Sequence, residues 1–95
     1  MRRAARVDAN QTQIVSALRA AGASVEQLSA VGKGCPDLLV GYRNVNILME
    51  IKDGEKTPSE RKLNSDQIVW HRDWKGVVFL VTSVEEALRA LEYYK

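Results

Sequence analysis

The stretch "GCPDLLVGYRNVNILMEIK", residues 34 to 52, constrains the fold more than any other part of the chain. Two runs rich in Val, Ile, Leu and Tyr, 36–42 and 45–53, are separated only by Arg43 and Asn44, which is the pattern of a β-hairpin. Asp37, Glu50 and Lys52 stand inside these runs. A charge placed in a strand costs free energy unless a partner compensates it, so the hairpin must bring such a partner within reach.

Alternation along a strand puts Glu50 and Lys52 on one face and Ile47, Met49 and Ile51 on the other. If the hairpin closes on a two-residue turn, Tyr42 opposes Val45, Val40 opposes Ile47 and Asp37 opposes Glu50; a three-residue loop would shift the pairing by one. Opposed residues have Cβ atoms about 4.5 to 5.5 Å apart, a distance at which two carboxylates repel. A divalent cation resolves that conflict, since Mg²⁺ favours one or two carboxylates completed by waters and phosphate oxygens. Lys52 projects from the same face, within reach of an oxygen bound there. The alternative is that Asp37 marks a strand entrance after Pro36 while Glu50 and Lys52 line a solvated face.

The remaining elements follow from periodicity and breakers. Ile14, Val15, Leu18 and Ala21 predict a first helix over residues 8–21, capped by Asp8 or Asn10 and stopped by Gly22. A short strand over 25–28 and the turn "SAVGKG" lead into the hairpin. "GEKTPSERKLN" reads as a loop, and residues 65–75 as a second helix capped by Asn64 or Ser65. "VVFLVT", 77–82, is a continuous apolar run of the kind covered on both faces of a sheet. Ser83 and Glu86 form a capping box for a last helix with Val84, Ala87, Leu88 and Leu91 inward. The expected fold is α/β, a mixed β-sheet flanked by helices in the order α-β-β-β-α-β-α, with a right-handed crossover before the last strand.

With 95 residues the chain supports one domain, 1–95, and 45% hydrophobic against 27% charged residues is the balance of an ordered globular protein. No apolar run approaches the roughly 20 residues that span a bilayer, so no membrane association is expected. Arg2, Arg3 and Arg6 are not followed by the apolar segment of a secretory signal, which points to an intracellular protein. The single Cys35 excludes an internal disulfide and a multi-thiolate zinc site, and reads as a small strand-edge residue. A net charge of +2 permits a polyanionic partner without demanding one.

"PD" at Pro36 and Asp37, followed by "EIK" at Glu50, Ile51 and Lys52, resembles the motif of the PD-(D/E)XK nuclease superfamily. With its short hairpin and a downstream helix bearing Gln67, the chain looks like the small stand-alone VRR-NUC and phage resolvase-like nucleases. The resemblance implies a restriction-endonuclease-like core that hydrolyses phosphodiester bonds in DNA with Mg²⁺ or Mn²⁺. Asp37 and Glu50 would hold the metal with the backbone carbonyl of Ile51, and Lys52 would orient the attacking water and stabilise charge at the phosphate. A homodimer such as resolvase-like relatives form is implied as well, in the cytoplasm of a bacterial or phage-infected host cell, while phosphate-gripping residues without a base-reading domain lead us to expect structure-selective action on branched or junction DNA.

Several positions carry two readings. Where relatives often place a glutamate on the first helix, this chain has Gln11 and Gln13, with Asp8 and Asn10 nearby; Gln11 is either a neutral metal ligand or a capping partner of Asp8. Gln67 is either a catalytic residue or the capping-box partner of Asn64. Gln67, Trp70, His71 and Trp74 share one helical face; the tryptophans read as core before base-stacking platforms, and His71 as a secondary site residue or a packing one. Lys33, Arg43, Lys56, Arg61, Lys62 and the N-terminal arginines would grip DNA phosphates. The competing function is a catalytically weakened nuclease fold kept as a DNA-binding or protein-interaction module; a structural domain with incidental carboxylates is a third reading.

Overall fold

The connection between the two hairpin strands settles the register. Arg43 and Asn44 both adopt left-handed backbone, with φ of 52° and 65°, the conformation of a two-residue type I′ turn. Asn tolerates that region; Arg does so less readily, and its guanidinium lies 5.1 Å over the Tyr42 ring, a cation–π contact that offsets part of the cost. The pairs Tyr42–Val45, Val40–Ile47 and Leu38–Met49 are those of the two-residue turn.

The computed structural model describes residues 8–93. The elements are α1 (Gln11–Ala20), β1 (Ser24–Gln27), β2 (Leu38–Tyr42), β3 (Val45–Ile51), a 3-10 turn at Pro58–Arg61, α2 (Ser65–Asp73), β4 (Val78–Val81) and α3 (Val84–Ala90). The sheet runs β1-β2-β3-β4, with β1 to β3 antiparallel and β4 parallel to β3 through the α2 crossover. The mixed sheet, the flanking helices and their order are those expected of a restriction-endonuclease-like core.

One face of the sheet carries the core. Val25, Leu38, Val40, Ile47, Met49, Ile51 and Val81 bury against Ile14, Val15 and Leu18 of α1 and against Ala87 and Ala90 of α3, with Leu91 just beyond. On the opposite face stand Leu39, Leu48, Glu50 and Lys52, and α2 lies over it without burying a single residue of its own.

Four local expectations need correction. β4 is not covered on both faces: Leu80, on the same face as Glu50, remains 47% exposed; apolar content alone does not say whether a helix arrives to cover a face. Trp70 is only half-buried and Trp74 is exposed, so neither belongs to the core. Helix α1 starts later than expected, and Asn10 occupies its N-cap position without a side-chain capping bond. Ser83 Oγ accepts from the Glu86 N–H, but the Glu86 carboxylate takes the N–H and hydroxyl of Thr82 instead of reciprocating at Ser83.

Gly34 holds α2 in place. Its φ is +84°, and a Cβ there would stand 2.4 Å from the Asp66 carbonyl oxygen in the first turn of α2. Both the conformation and the close backbone approach require glycine. Gly34→Ala is expected to lower stability by roughly 2 kcal/mol, read as a reduced denaturation midpoint; an unchanged midpoint would show that the turn and helix separate without cost.

Candidate active site

Asp37 stands immediately before β2, after the fully buried Pro36. The ladder between β2 and β3 ends at Leu38–Met49, and the Asp37 side chain extends it: Oδ2 accepts the Ile51 N–H at 2.8 Å. The carboxylate is thereby tied to the backbone of β3 on the face from which Glu50 projects.

Glu50 is 2% exposed, a carboxylate sunk between the sheet and α2. Oε2 accepts from Gln67 Nε2 at 3.1 Å, while Oε1 is buried without a hydrogen-bond partner. Burial, then the charge of Asp37, then hydrogen bonding with Asp37 push its pKa up to about 9, with Lys52 pulling the other way. Lys52 Nζ donates to Gln67 Oε1 at 2.9 Å, so one side-chain amide holds the ammonium on its oxygen and the carboxylate on its nitrogen. The capping reading of Gln67 is seen directly: it completes the capping box with Asn64, accepting the Asn64 N–H on Oε1 and donating its own N–H to Asn64 Oδ1, each at 2.9 Å. The cap fixes the backbone from which the amide reaches across to β3.

His71, one turn further along α2, brings Nε2 to 3.9 Å from Glu50 Oε1. Both atoms are buried and unpartnered. Burial, and then the Lys52 charge, lower the His71 pKa, which favours a neutral ring. At that distance the two atoms face each other within ion-pair range without a hydrogen bond.

The N-terminal turn of α1 forms the remaining wall. Gln11 is 2% exposed and donates from Nε2 to Gln27 Oε1 at 3.1 Å and to Ser29 Oγ at 3.3 Å; Ser29 Oγ donates to Asp37 Oδ1 at 3.4 Å. Gln11 therefore reaches Asp37 through Ser29 rather than capping the helix, and its Oε1 is buried without a partner. Asn10 donates to the carbonyls of Lys52 and Thr82, at 3.2 and 3.1 Å, fastening α1 to the ends of β3 and β4. The Asp8 pKa is raised by burial and then by Asp37, and lowered by Lys52 and Lys56. A third carboxylate thus lies in the field of the site.

Ser29, and the electrostatic rather than capping role of Asp8, escaped sequence reasoning. Ser29 carries no spacing signal. Asp8 could have been found from its position one turn before Gln11, on the side where the first-helix acid was missing.

Among the described residues no three or more of His, Cys, Asp and Glu are grouped as a metal-holding cluster. Asp37 and the unpartnered Glu50 Oε1 are hard oxygens of the kind that could hold Mg²⁺ or Mn²⁺ rather than zinc, and Gln11 Oε1 is a further buried oxygen without a hydrogen-bond partner. At Ile51 the structure shows the N–H engaged with Asp37.

The expected phosphate contacts are dispersed. Lys33 is exposed in the glycine turn at φ 56°, Lys56 and Lys62 are exposed in the loop before α2, and Arg61 is half-buried with Nε unpartnered. Arg43 lies at the hairpin tip, roughly 20 Å from Asp37 at strand spacing. Arg2, Arg3 and Arg6 lie outside the described residues. Cys35 is half-buried, and burial, then Glu50 and Asp37, raise its thiol pKa, the opposite of what a nucleophile needs.

The geometry is that of a nuclease-type fold, and comparison with solved structures agrees. The chain is similar to a VRR_NUC domain with a TM-score of 0.63 and 28% sequence identity, over 93% of this chain and 100% of that one. No family model and no curated protein matches the chain. The likeness to VRR-NUC and PD-(D/E)XK nucleases thus holds in fold as well as in motif.

Glu50 generates a pH prediction for the metal-free protein. Its folded pKa is raised from 4.5 to about 9, so its favourable contribution is complete below pH 4.5 and is lost as pH rises toward 9. Glu50→Gln removes that loss. In EDTA the variant is expected to exceed the wild type in stability by at least about 1 kcal/mol at pH 9, and by less at pH 5. Parallel unfolding curves at the two pH values would contradict the assignment.

Proposed function

We propose that the protein is a divalent-metal-dependent deoxyribonuclease that hydrolyses phosphodiester bonds in branched or junction DNA. The observation that carries this reading is Glu50: a buried carboxyl group beside Asp37 with one oxygen without a hydrogen-bond partner, and with Gln67 bonded to both it and Lys52. A carboxylate pair kept only for packing would be expected to close its hydrogen bonds. Relief by a cation accounts for two acids placed side by side.

Asp37, Glu50 and the Ile51 carbonyl would hold Mg²⁺ or Mn²⁺, with Gln11 as a neutral fourth donor. When bound, the ion lowers the pKa of its water and neutralises non-bridging phosphate oxygens. Lys52, fixed by Gln67, orients the attacking water and stabilises charge developing at the phosphate. His71, neutral and facing Glu50, can exchange a hydrogen bond with that water. Asp8 supplies the negative charge that Gln11 does not bring. Lys33, Lys56, Arg61 and Lys62 grip the backbone, with Arg43 at the hairpin tip as an outlying contact and the N-terminal arginines Arg2, Arg3 and Arg6 as further ones. Phosphate contacts of this kind carry little sequence information, which favours recognition of DNA shape. A homodimer would give two sites for paired cuts across a symmetric junction.

Incubation with plasmid, flapped, single-stranded and four-way-junction DNA tests the reading. Cleavage is expected with Mg²⁺ or Mn²⁺ and not with EDTA. Glu50→Ala and Lys52→Ala are expected to fall by about 10²-fold or more, in the range seen when a stabilising group is removed. Folded wild-type protein that binds these DNAs but cuts none would support the binding-module reading instead. In the same assay Asp8→Asn is expected to raise the metal concentration needed for half-maximal cleavage several-fold; an unchanged requirement would remove Asp8 from the site.

A further inference from the structure

The open face of the sheet continues past the carboxylates into an apolar groove. Its floor is Leu39 and Leu48, and its wall on the α2 side is Trp70 and Trp74. The floor residues are the next on the same face after Asp37 and Glu50, two positions along each strand, so roughly 7 Å separates groove from site. The groove has a volume of about 370 Å³. Trp70 and Trp74 stack at 4.6 Å with planes 18° apart, and Trp74 is 48% exposed. Gly76 is moulded to it: a Cβ there would stand 2.7 Å from Trp74 Nε1. Lys75 lies between these two residues in the chain and is exposed.

We propose that this groove receives an unpaired nucleobase, stacked on the Trp74 indole, from the same strand whose phosphate lies at Asp37, Glu50 and Lys52. The inference rests on the nuclease reading and extends it to a substrate class, DNA with a single-stranded segment beside the scissile bond. A base inside a duplex has its faces covered and cannot enter, whereas an unpaired base presents a π-face that any sequence supplies. The chemistry changes along one helix face: Gln67 and His71 meet the polar end of the site, and Trp70 and Trp74 meet its apolar end. A nucleotide has that same order, charged phosphate first and aromatic base beyond it. A second copy of the chain or an apolar peptide would use the groove but not the adjacent ammonium and carboxylates.

The chain has two tryptophans, both at this groove, so tryptophan emission excited selectively over tyrosine reports the groove. Titration with oligo(dT) in EDTA is expected to quench emission saturably, and a blunt duplex of equal length to quench it little. Trp74→Ala is expected to weaken oligo(dT) binding about tenfold, measured by anisotropy of labelled DNA, with duplex binding unchanged and Trp74→Phe restoring most of the loss. Circular dichroism establishes that each variant is folded. In cleavage assays Trp74→Ala should lose flap cutting more than duplex nicking. Equal oligo(dT) affinity for wild type and Trp74→Ala overturns the proposal, as does emission that depends on protein concentration and not on DNA, which would assign the groove to self-association. The nuclease reading has a separate signature: if Lys52→Ala abolishes cleavage while Trp74→Ala alters nothing, the site stands and the groove proposal falls.

Discussion

The two-residue turn at Arg43 and Asn44 is the constraint on which the site depends. A strand shifted by one residue turns every side chain to the opposite face. In that shifted register Glu50 and Lys52 would enter the core between α1 and α3, and Met49 would face solvent. The left-handed backbone of the turn fixes the pairing, the pairing places Leu38 against Met49, and Asp37 then meets the Ile51 N–H at the end of the ladder. Two acids converge because the turn has two residues.

The sheet divides its labour by face. The side toward α1 and α3 is closed and apolar and supplies the burial that stabilises the domain. The other side is covered incompletely by α2, which buries none of its own residues; Gln67 bonds it to Glu50 and Lys52, and the Gly34 turn approaches the backbone of its first turn closely. The same incomplete packing leaves Trp74 exposed.

Much of this was legible in the hairpin. Alternation put Glu50 and Lys52 together, and symmetric closure brought Asp37 to them. Helix periodicity put Gln67 and His71 on one face, and both reach Glu50. What could not be read was the exposure of elements: "VVFLVT" has the composition of a strand covered on both faces and leaves Leu80 exposed, and the tryptophans have the composition of core and line a groove. Composition records what a side chain tolerates, while exposure depends on whether another element arrives to cover it.

Local chemistry therefore determined the elements, their order, the face each charge occupies and the likeness to PD-(D/E)XK nucleases, because turn geometry and the two-residue and 3.6-residue periods act over a few neighbours. Only the tertiary structure decided that Gln11 reaches Asp37 through Ser29, that Asp8 adds its charge to the site, and that one Gln67 amide serves Asn64, Lys52 and Glu50 together. Those contacts join residues far apart in the chain, and their partners are selected by how α1 and α2 pack on the sheet.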